Sequence, residues 1–335
     1  MGLAKEYARS LDRVVVIAPG SMPKTDIAPN VKIELVGNVT KVSANGSVAP
    51  ICLSIWAACR VYAALRDVDV VHIHEPFAPV LAWTTLLCVG RQRIVATFHR
   101  YSESLGDIFF APWTRLLTRG IDVCIAVSPE AAKTAHVLSA AHPLIVPNGI
   151  AVRPLDVVRT VQERIVFIGR HESRKGLEVL LRAHDLIRDH VCLEIVGTGE
   201  QTKDLVQKYP ECSRRKWRGV VDDAERDTLL QTSSMYCVPS LSGESFGIVL
   251  LEAMIQGASV IASDIPGYRG VCPAGAARLV APDDPFALSQ AILEDLVEFR
   301  IRRDTWDKRR HRAWEHASTF DMRTVASEYL KLFCT

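Results

Sequence analysis

No basic-then-apolar leader opens this chain, and no apolar run approaches the about 20 residues that a membrane-spanning helix needs. The longest such stretch lies around Pro79–Gly90 and falls short. There is no Cys-x-x-Cys pair; the nine cysteines are scattered and odd in number. That pattern excludes a zinc ribbon and argues for free thiols in a reducing compartment rather than a disulfide framework. Neither sign of charge dominates, since the net charge is +2, so the basic footprint of a nucleic-acid binder is missing. No internal repeat and no low-complexity tract appears. A full dinucleotide fingerprint is also absent, because Gly197-x-Gly199 stands alone. What remains is a chain of 335 residues, 48% hydrophobic and 23% charged, with the length and balance of a two-domain globular enzyme. A cytoplasmic location is expected, with peripheral contact at the cytoplasmic face of a membrane left open.

Along the chain, short continuous apolar runs alternate with amphipathic ones. Arg13–Pro19, Val31–Val36, Val68–His74, Arg93–Phe98, Val123–Val127 and Leu144–Pro147 read as strands. Met1–Leu11, Ser54–Leu65, Val80–Val89, Phe109–Arg119 and Glu130–Leu138 read as helices. Strands without polar alternation belong to a parallel sheet covered on both faces. Ala151–Glu163 breaks the pattern and reads as a linker. The same grammar then restarts at Ile165–Gly169 and continues to Pro285–Leu296. Ile301–Ser318 is charged and expected to be exposed. Arg323–Phe333 carries an apolar stripe that needs burial. The fold class is therefore α/β, two doubly wound domains facing a cleft. The divisions are 1–152, 153–318 and a last helix, 319–335, crossing back to the first domain.

In such sheets ligands bind beyond the carboxyl ends of the strands. The polar groups fall there: His74-Glu75, His99-Arg100, Asn148-Gly149, Gly169-Arg170, Gly197-Thr198-Gly199 and Gly243-Glu244. The loop from Gly169 to Gly176 carries three cations, of which Arg170 and Lys175 suit a diphosphate. Taken alone, a solvated basic loop explains it as well. Gly243-Glu244-Ser245-Phe246-Gly247 leads from a strand into a helix whose open amides attract anions. Glu244 stands at that junction, and Glu252 lies on the order of 12 Å further along the helix. Asp222-Asp223 reads as a helix cap before a metal pair. His72 and His74 share a strand face and read as packing or supporting histidines before metal ligands. His99 ends a strand.

These motifs resemble the large retaining glycosyltransferase family of the GT-B fold. The resemblance rests on Phe167-Ile-Gly-Arg with Arg174-Lys-Gly, Val196-Gly-x-Gly, Gly219-Val-Val-Asp, and the Glu-x7-Glu of Glu244 and Glu252. Val71-His-Ile-His-Glu-Pro, Ala96-Thr-Phe-His and Val146-Pro-Asn-Gly extend it through the first half. Within the family the chain is most similar to the phosphatidyl-myo-inositol mannosyltransferases. The resemblance implies a hexosyltransferase that moves mannose from GDP-mannose to a phosphatidylinositol-type lipid, with retention, no cofactor and no metal. It implies that Arg170 and Lys175 hold the donor diphosphate, Glu244 the transferred sugar and Glu252 the ribose. Val220 or Val221 would line the base pocket, and Ser245, Phe246, Gly247 and Ile248 would complete the donor site. His99 would sit beside the sugar, and Asn45, Ser47 and Arg100 on the acceptor side.

Three departures accompany the likeness. The family opens with a strand and a glycine-rich loop ahead of the helix that Met1–Leu11 resembles, and this sequence shows neither. The first sheet is then expected to lack its middle strand, leaving a slot between two neighbours. A natural start upstream, and low stability and activity for the chain as written, follow as expectations. Ala44 and Pro50 replace a tyrosine and an arginine expected beside Asn45 and Ser47. Only Arg60 and Arg66 stand on the helix where relatives carry a dense basic cluster for anionic lipid. Two other readings stay open: a UDP-sugar donor with a soluble inositol-phosphate acceptor, and a non-catalytic nucleotide-sugar or lipid-binding protein.

Overall fold

The apolar runs assemble into two units, one of Met1–Ala151 with Phe320–Thr335 and one of Val152–Thr319. The computed structural model describes residues 1–20, 27–36, 39–44, 47–52, 55–78, 81–101, 105–155, 160–188 and 190–334.

In the first unit, α1 is Gly2–Tyr7, β1 Val14–Pro19, β2 Val31–Val36, β3 Val39–Ala44 and β4 Ser47–Cys52. Then come α2 Ile55–Leu65, β5 Val70–His74, α3 Leu81–Cys88, β6 Arg93–Phe98 and α4 Leu105–Leu117. A 3-10 turn follows at Thr118–Gly120, then β7 Val123–Ala126, α5 Pro129–Ser139 and β8 Leu144–Ile145. Ser128 caps α5 by accepting from the Ala131 amide at 3.0 Å, with Pro129 in the first turn. Strands β5-β6-β7-β8 form one parallel sheet and β1-β2 a separate parallel pair. Among the described residues no ladder joins β1 to β5, as expected of a sheet without its middle strand. The antiparallel β3–β4 hairpin went unread in the sequence because Val39–Cys52 mixes polar, glycine and proline residues without a clean period.

The terminal helix, Met322–Cys334, lays Val325, Ala326, Tyr329 and Phe333 against Tyr7, Val95, Ile125 and Val146. Arg93 Nε donates to the Leu332 carbonyl at 3.2 Å. On the other sheet face, Ile73 and Ile94 pack on Ala82 and Leu86 of α3.

The second unit contains β9 Gln162–Ile168, α6 Leu177–Leu186, β10 Cys192–Val196, α7 Thr202–Lys208 and β11 Arg215–Gly219. It continues with α8 Asp223–Thr232, β12 Ser233–Val238, α9 Ile248–Ile255, β13 Ser259–Ser263 and α10 Pro266–Arg269. It ends with β14 Ala277–Val280, α11 Pro285–Ile301 and α12 Arg303–Ser318. Six parallel strands run in the order β11-β10-β9-β12-β13-β14. Alternate residues Ile165, Phe167, Leu193, Ile195, Met235, Cys237 and Ile261 pack against α6 and α11. Helix α12 is not the exposed helix that its charge suggests: Trp306, Arg309, Arg310, Ala313 and Ala317 are buried. The reason is Asp295, fully buried on α11, which Arg309 and Arg278 neutralise while Ser259 and Trp306 donate to it. A buried carboxylate needs such partners.

Candidate functional site

Strand order in the second unit reverses direction between β9 and β12, which puts the carboxyl ends of these two strands at the ligand-binding position of a doubly wound sheet. Both ends carry glycine-permitted close approaches. A Cβ on Gly197 would stand 2.0 Å from the Gly169 carbonyl oxygen, and one on Gly176 would stand 1.9 Å from that of Pro239. Both glycines also have positive φ, +117° and +65°.

This backbone aligns a chain of alternating charges. Arg170 lies 2.7 Å from Glu172, and Glu172 accepts from Arg174 Nε at 3.1 Å. Arg174 Nη1 donates at 3.0 Å to Glu244 Oε1, and Lys175 Nζ donates to the same oxygen at 2.6 Å. Glu172 is buried, whereas Arg170 keeps 45% of its side chain exposed. Glu244 stands three residues before the Gly247 cap of α9; that cap, at φ +87°, offers no side-chain acceptor, and although the Leu250 amide bonds the Gly247 carbonyl at 2.9 Å, the Ile248 and Val249 amides have no partner among the described residues. Gly267 backs the Glu244 carbonyl, where an added Cβ would come within 1.9 Å. The cluster pairs a carboxylate with cations beside a helix amino terminus, an arrangement suited to a diphosphate and adjoining hydroxyls.

Glu252 keeps different company. It is partly buried on α9, and burial raises its pKa, opposed by the charge of Arg226. Arg226 is itself engaged by Asp223 and Asp227. The two glutamates thus occupy separate surroundings. Val220 is 77% exposed after Gly219, with Val221 partly buried. Phe246 and Gly247 are buried, Ser245 partly so, and Ile248 is exposed.

In the first unit, histidines collect at the end of β5 and β6. His74 Nδ1 lies 2.9 Å from His99 Nε2. The His99 side chain also meets Asn148. Glu75, in the left-handed region at φ 54°, accepts with one oxygen from the amides of His99 and Arg100. Tyr7 donates to His72 Nδ1 at 3.1 Å, His72 Nε2 donates to Thr97 at 2.8 Å, and Thr97 donates to Tyr329 at 3.2 Å, a consistent set for a neutral imidazole. Burial pushes the His72 pKa well down, followed by the charges of His74 and His99. His99 is lowered by burial, with Glu75 and Asn148 opposing. The protein around His74 holds it below the usual range, then His99 and the α-amino group of Met1. Solvent still reaches this ring, which moderates the effect.

Of the residues singled out in the sequence, Lys175 and Glu244 are in direct contact, and Arg170 is linked to them through Glu172 and Arg174. Arg100 is fixed through its backbone, and Ser47 opens β4. Asn45 lies outside the described residues. Asp222 caps α8, accepting from the Glu225 amide at 2.8 Å. Sequence reasoning missed Glu172, Arg174 and Glu75 as site residues. The alternation Arg170, Glu172, Arg174 was the available signal for the first two; a carboxylate bridging two backbone amides has none.

Comparison with known proteins gives the family and the fold. Residues 162–297 match the family described as Glycosyl transferases group 1, and residues 1–153 match Glycosyltransferase Family 4. A phosphatidyl-myo-inositol mannosyltransferase of Propionibacterium freudenreichii subsp. shermanii is 38% identical over 276 residues, covering 77% of this chain and 70% of that protein. One of Mycobacterium leprae is 32% identical over 337 residues, covering 96% and 88%. The crystal structure of Anabaena HepE with UDP and glucose superposes with a TM-score of 0.78 at 18% identity, over 100% of this chain and 95% of that one.

Proposed function

The chain belongs to the group 1 glycosyltransferases, in the family of the phosphatidyl-myo-inositol mannosyltransferases, and from that premise we propose that it transfers mannose from GDP-mannose to a phosphatidylinositol-type lipid with retention of configuration. The observation that carries the reading is the pairing of Arg174 and Lys175 with Glu244 near the amino terminus of α9, which has no side-chain cap.

As the glycosidic bond breaks, the leaving diphosphate gains negative charge. Lys175, Arg174, Arg170 and the α9 amides are the groups to stabilise it, and charges already in place cost no reorganisation at that moment. Glu244 is assigned the hydroxyls of the transferred hexose and Glu252 those of the ribose. Val220 and Val221 border the base, with Ser245, Phe246, Gly247 and Ile248 shaping the site. His99 is assigned a contact to the sugar, and Asn45, Ser47 and Arg100 the acceptor side. The acceptor attacks from the face that the leaving group departs, so no carboxylate nucleophile of the glycosidase kind takes part. The cationic side chains carry the charge work, and neither metal nor cofactor enters the proposed reaction.

No described helix is long and apolar enough to cross a membrane. A lipid acceptor calls for surface contact instead. On α4, Trp113 and Leu116 are 56% and 53% exposed beside the exposed Arg115, with Arg119 just beyond, a mixed apolar and basic face suited to an anionic bilayer at the cytoplasmic surface. The test is transfer of radiolabelled sugar from GDP-mannose, and from UDP-sugars in parallel, to vesicles containing phosphatidylinositol. Product from GDP-mannose alone supports the reading. Transfer only from a UDP-sugar, or only to soluble inositol phosphate, replaces it, and no transfer from any donor sinks it.

A further inference from the structure

His171 has no part in the proposed reaction, yet it stands between Arg170 and Glu172 with only 1% of its surface exposed. Its ring meets Phe167 of β9 at a centroid distance of 6.2 Å and Trp217 of β11 edge-on at 5.6 Å. Its backbone holds the segment that leaves β10, the strand between those two. The His171 amide donates to the Thr198 carbonyl at 3.2 Å, and the Gln201 amide donates to the His171 carbonyl at 3.0 Å. Gly199 lies against this backbone: a Cβ there would stand 2.5 Å from the His171 carbonyl oxygen and 2.7 Å from its nitrogen. The same segment is held on its other flank, since the Gly197 amide donates to the Gly219 carbonyl at 2.7 Å.

One side-chain bond closes the arrangement. Thr202, the first residue of α7, accepts the Gly199 amide on its hydroxyl oxygen at 2.8 Å, and the same oxygen lies 2.9 Å from His171 Nδ1. The hydroxyl hydrogen is free to donate to Nδ1, which leaves the proton of a neutral ring on Nε2. Burial favours that neutral ring by lowering its pKa, with the Val196 carbonyl opposing. We propose that His171 and Thr202 are positioning residues of the donor site, an assignment that rests on the donor reading above: through the Thr202 hydroxyl the ring clamps the Gly197–Thr202 loop to the Gly169–Gly176 loop. A nucleoside diphosphate is held at two ends, by the cations of the Gly169–Gly176 loop and by Val220 and Val221 beyond Gly219. The clamped loop is bonded to both and sets their separation. A ligand that grips both ends gains from a fixed separation, because its second contact forms at high effective concentration. A fragment that grips one end gains nothing.

Thr202→Val keeps the shape of the side chain and removes its hydroxyl, whereas Thr202→Ser keeps the hydroxyl. Calorimetric titration with GDP, with UDP and with inorganic pyrophosphate reads both variants. Thr202→Val is expected to weaken binding of whichever nucleoside diphosphate the unaltered protein takes by about tenfold, and to leave pyrophosphate within about twofold. Thr202→Ser is expected to restore nucleotide affinity to within about threefold. His171→Phe keeps a ring between Phe167 and Trp217. It is expected to lose as much as Thr202→Val, and the double variant no more than either alone. In the transfer assay the loss falls on KM for the donor and leaves kcat in place. Unchanged nucleotide affinity in Thr202→Val, an equal loss for pyrophosphate, a Thr202→Ser variant no better than Thr202→Val, or additive losses in the double variant each overturns the proposal. An unaltered protein that binds neither GDP nor UDP overturns the donor reading and the proposal with it.

Discussion

Lys175 Nζ lies 2.6 Å from Glu244 Oε1, and the same carboxylate oxygen takes the Arg174 guanidinium. The anion that positions these cations therefore competes with an incoming diphosphate for them. Lys175→Ala is expected to weaken binding of a nucleotide diphosphate by about 1.5–3 kcal/mol, the range of a hydrogen bond to a charged group. Glu244→Gln is expected to leave that affinity equal or higher while lowering turnover strongly. Calorimetric titration of GDP with assay of both variants checks this. Full affinity in Lys175→Ala removes Lys175 from the donor site.

Gly197→Ala and Gly219→Ala separate close approach from backbone conformation. Both glycines have positive φ, but a Cβ on Gly197 meets the Gly169 carbonyl at 2.0 Å, whereas one on Gly219 meets nothing within 4 Å. The Gly219 change should cost about 1–2 kcal/mol, from the left-handed conformation alone. The Gly197 change should cost more, and should also weaken nucleotide binding by displacing the Gly169–Arg170 loop. Thermal melts of the two variants decide the point, and equal losses contradict it.

His72 sits in its hydrogen-bonded chain as a neutral ring, near Tyr7, His74, His99 and Tyr329. Its folded pKa is depressed, so the unfolded chain binds the proton more readily. Stability is then fully present above about pH 6.5 and falls as the pH drops below it, by at most about 1.4 kcal/mol per unit for this residue. His72→Gln should melt lower at pH 7.5 yet lose less on going to pH 5.5. Parallel curves for the two proteins would show that His72 takes the proton equally in both states.

Asp295→Ala leaves Arg309 and Arg278 short of a buried partner. Removing one member of such a group typically costs about 3–5 kcal/mol. A melting temperature about 10 °C lower, the usual conversion for a unit of this size, is expected from calorimetry. A loss under about 1 kcal/mol, the worth of an exposed pair, would mean that water screens the cluster.

Strand and helix positions were legible where one period ran without interruption. Lys175–Ile187 and Val325–Phe333 show their buried faces in the sequence because helical spacing leaves one reading. Ile301–Ser318 misled for an electrostatic reason: Arg309 and Arg310 look like solvated residues until Asp295, Glu298 and the Gly257 carbonyl are brought to them by the fold. In the site, Lys175 and Glu244 stood out through residue type and junction position. Glu172 and Glu75 did not, since a carboxylate that bridges neighbours depends on contacts between segments distant in sequence.

The terminal helix belongs to the unit that begins with α1, so that unit is written in two pieces separated by roughly 170 residues. During synthesis Tyr7, Val95 and Ile125 emerge long before Tyr329 and Phe333 arrive to cover them. At ordinary elongation rates the wait is about 10–30 s. The second unit is uninterrupted and can fold within that interval. The nascent first unit meanwhile carries an apolar face that stays uncovered until the terminal helix is made.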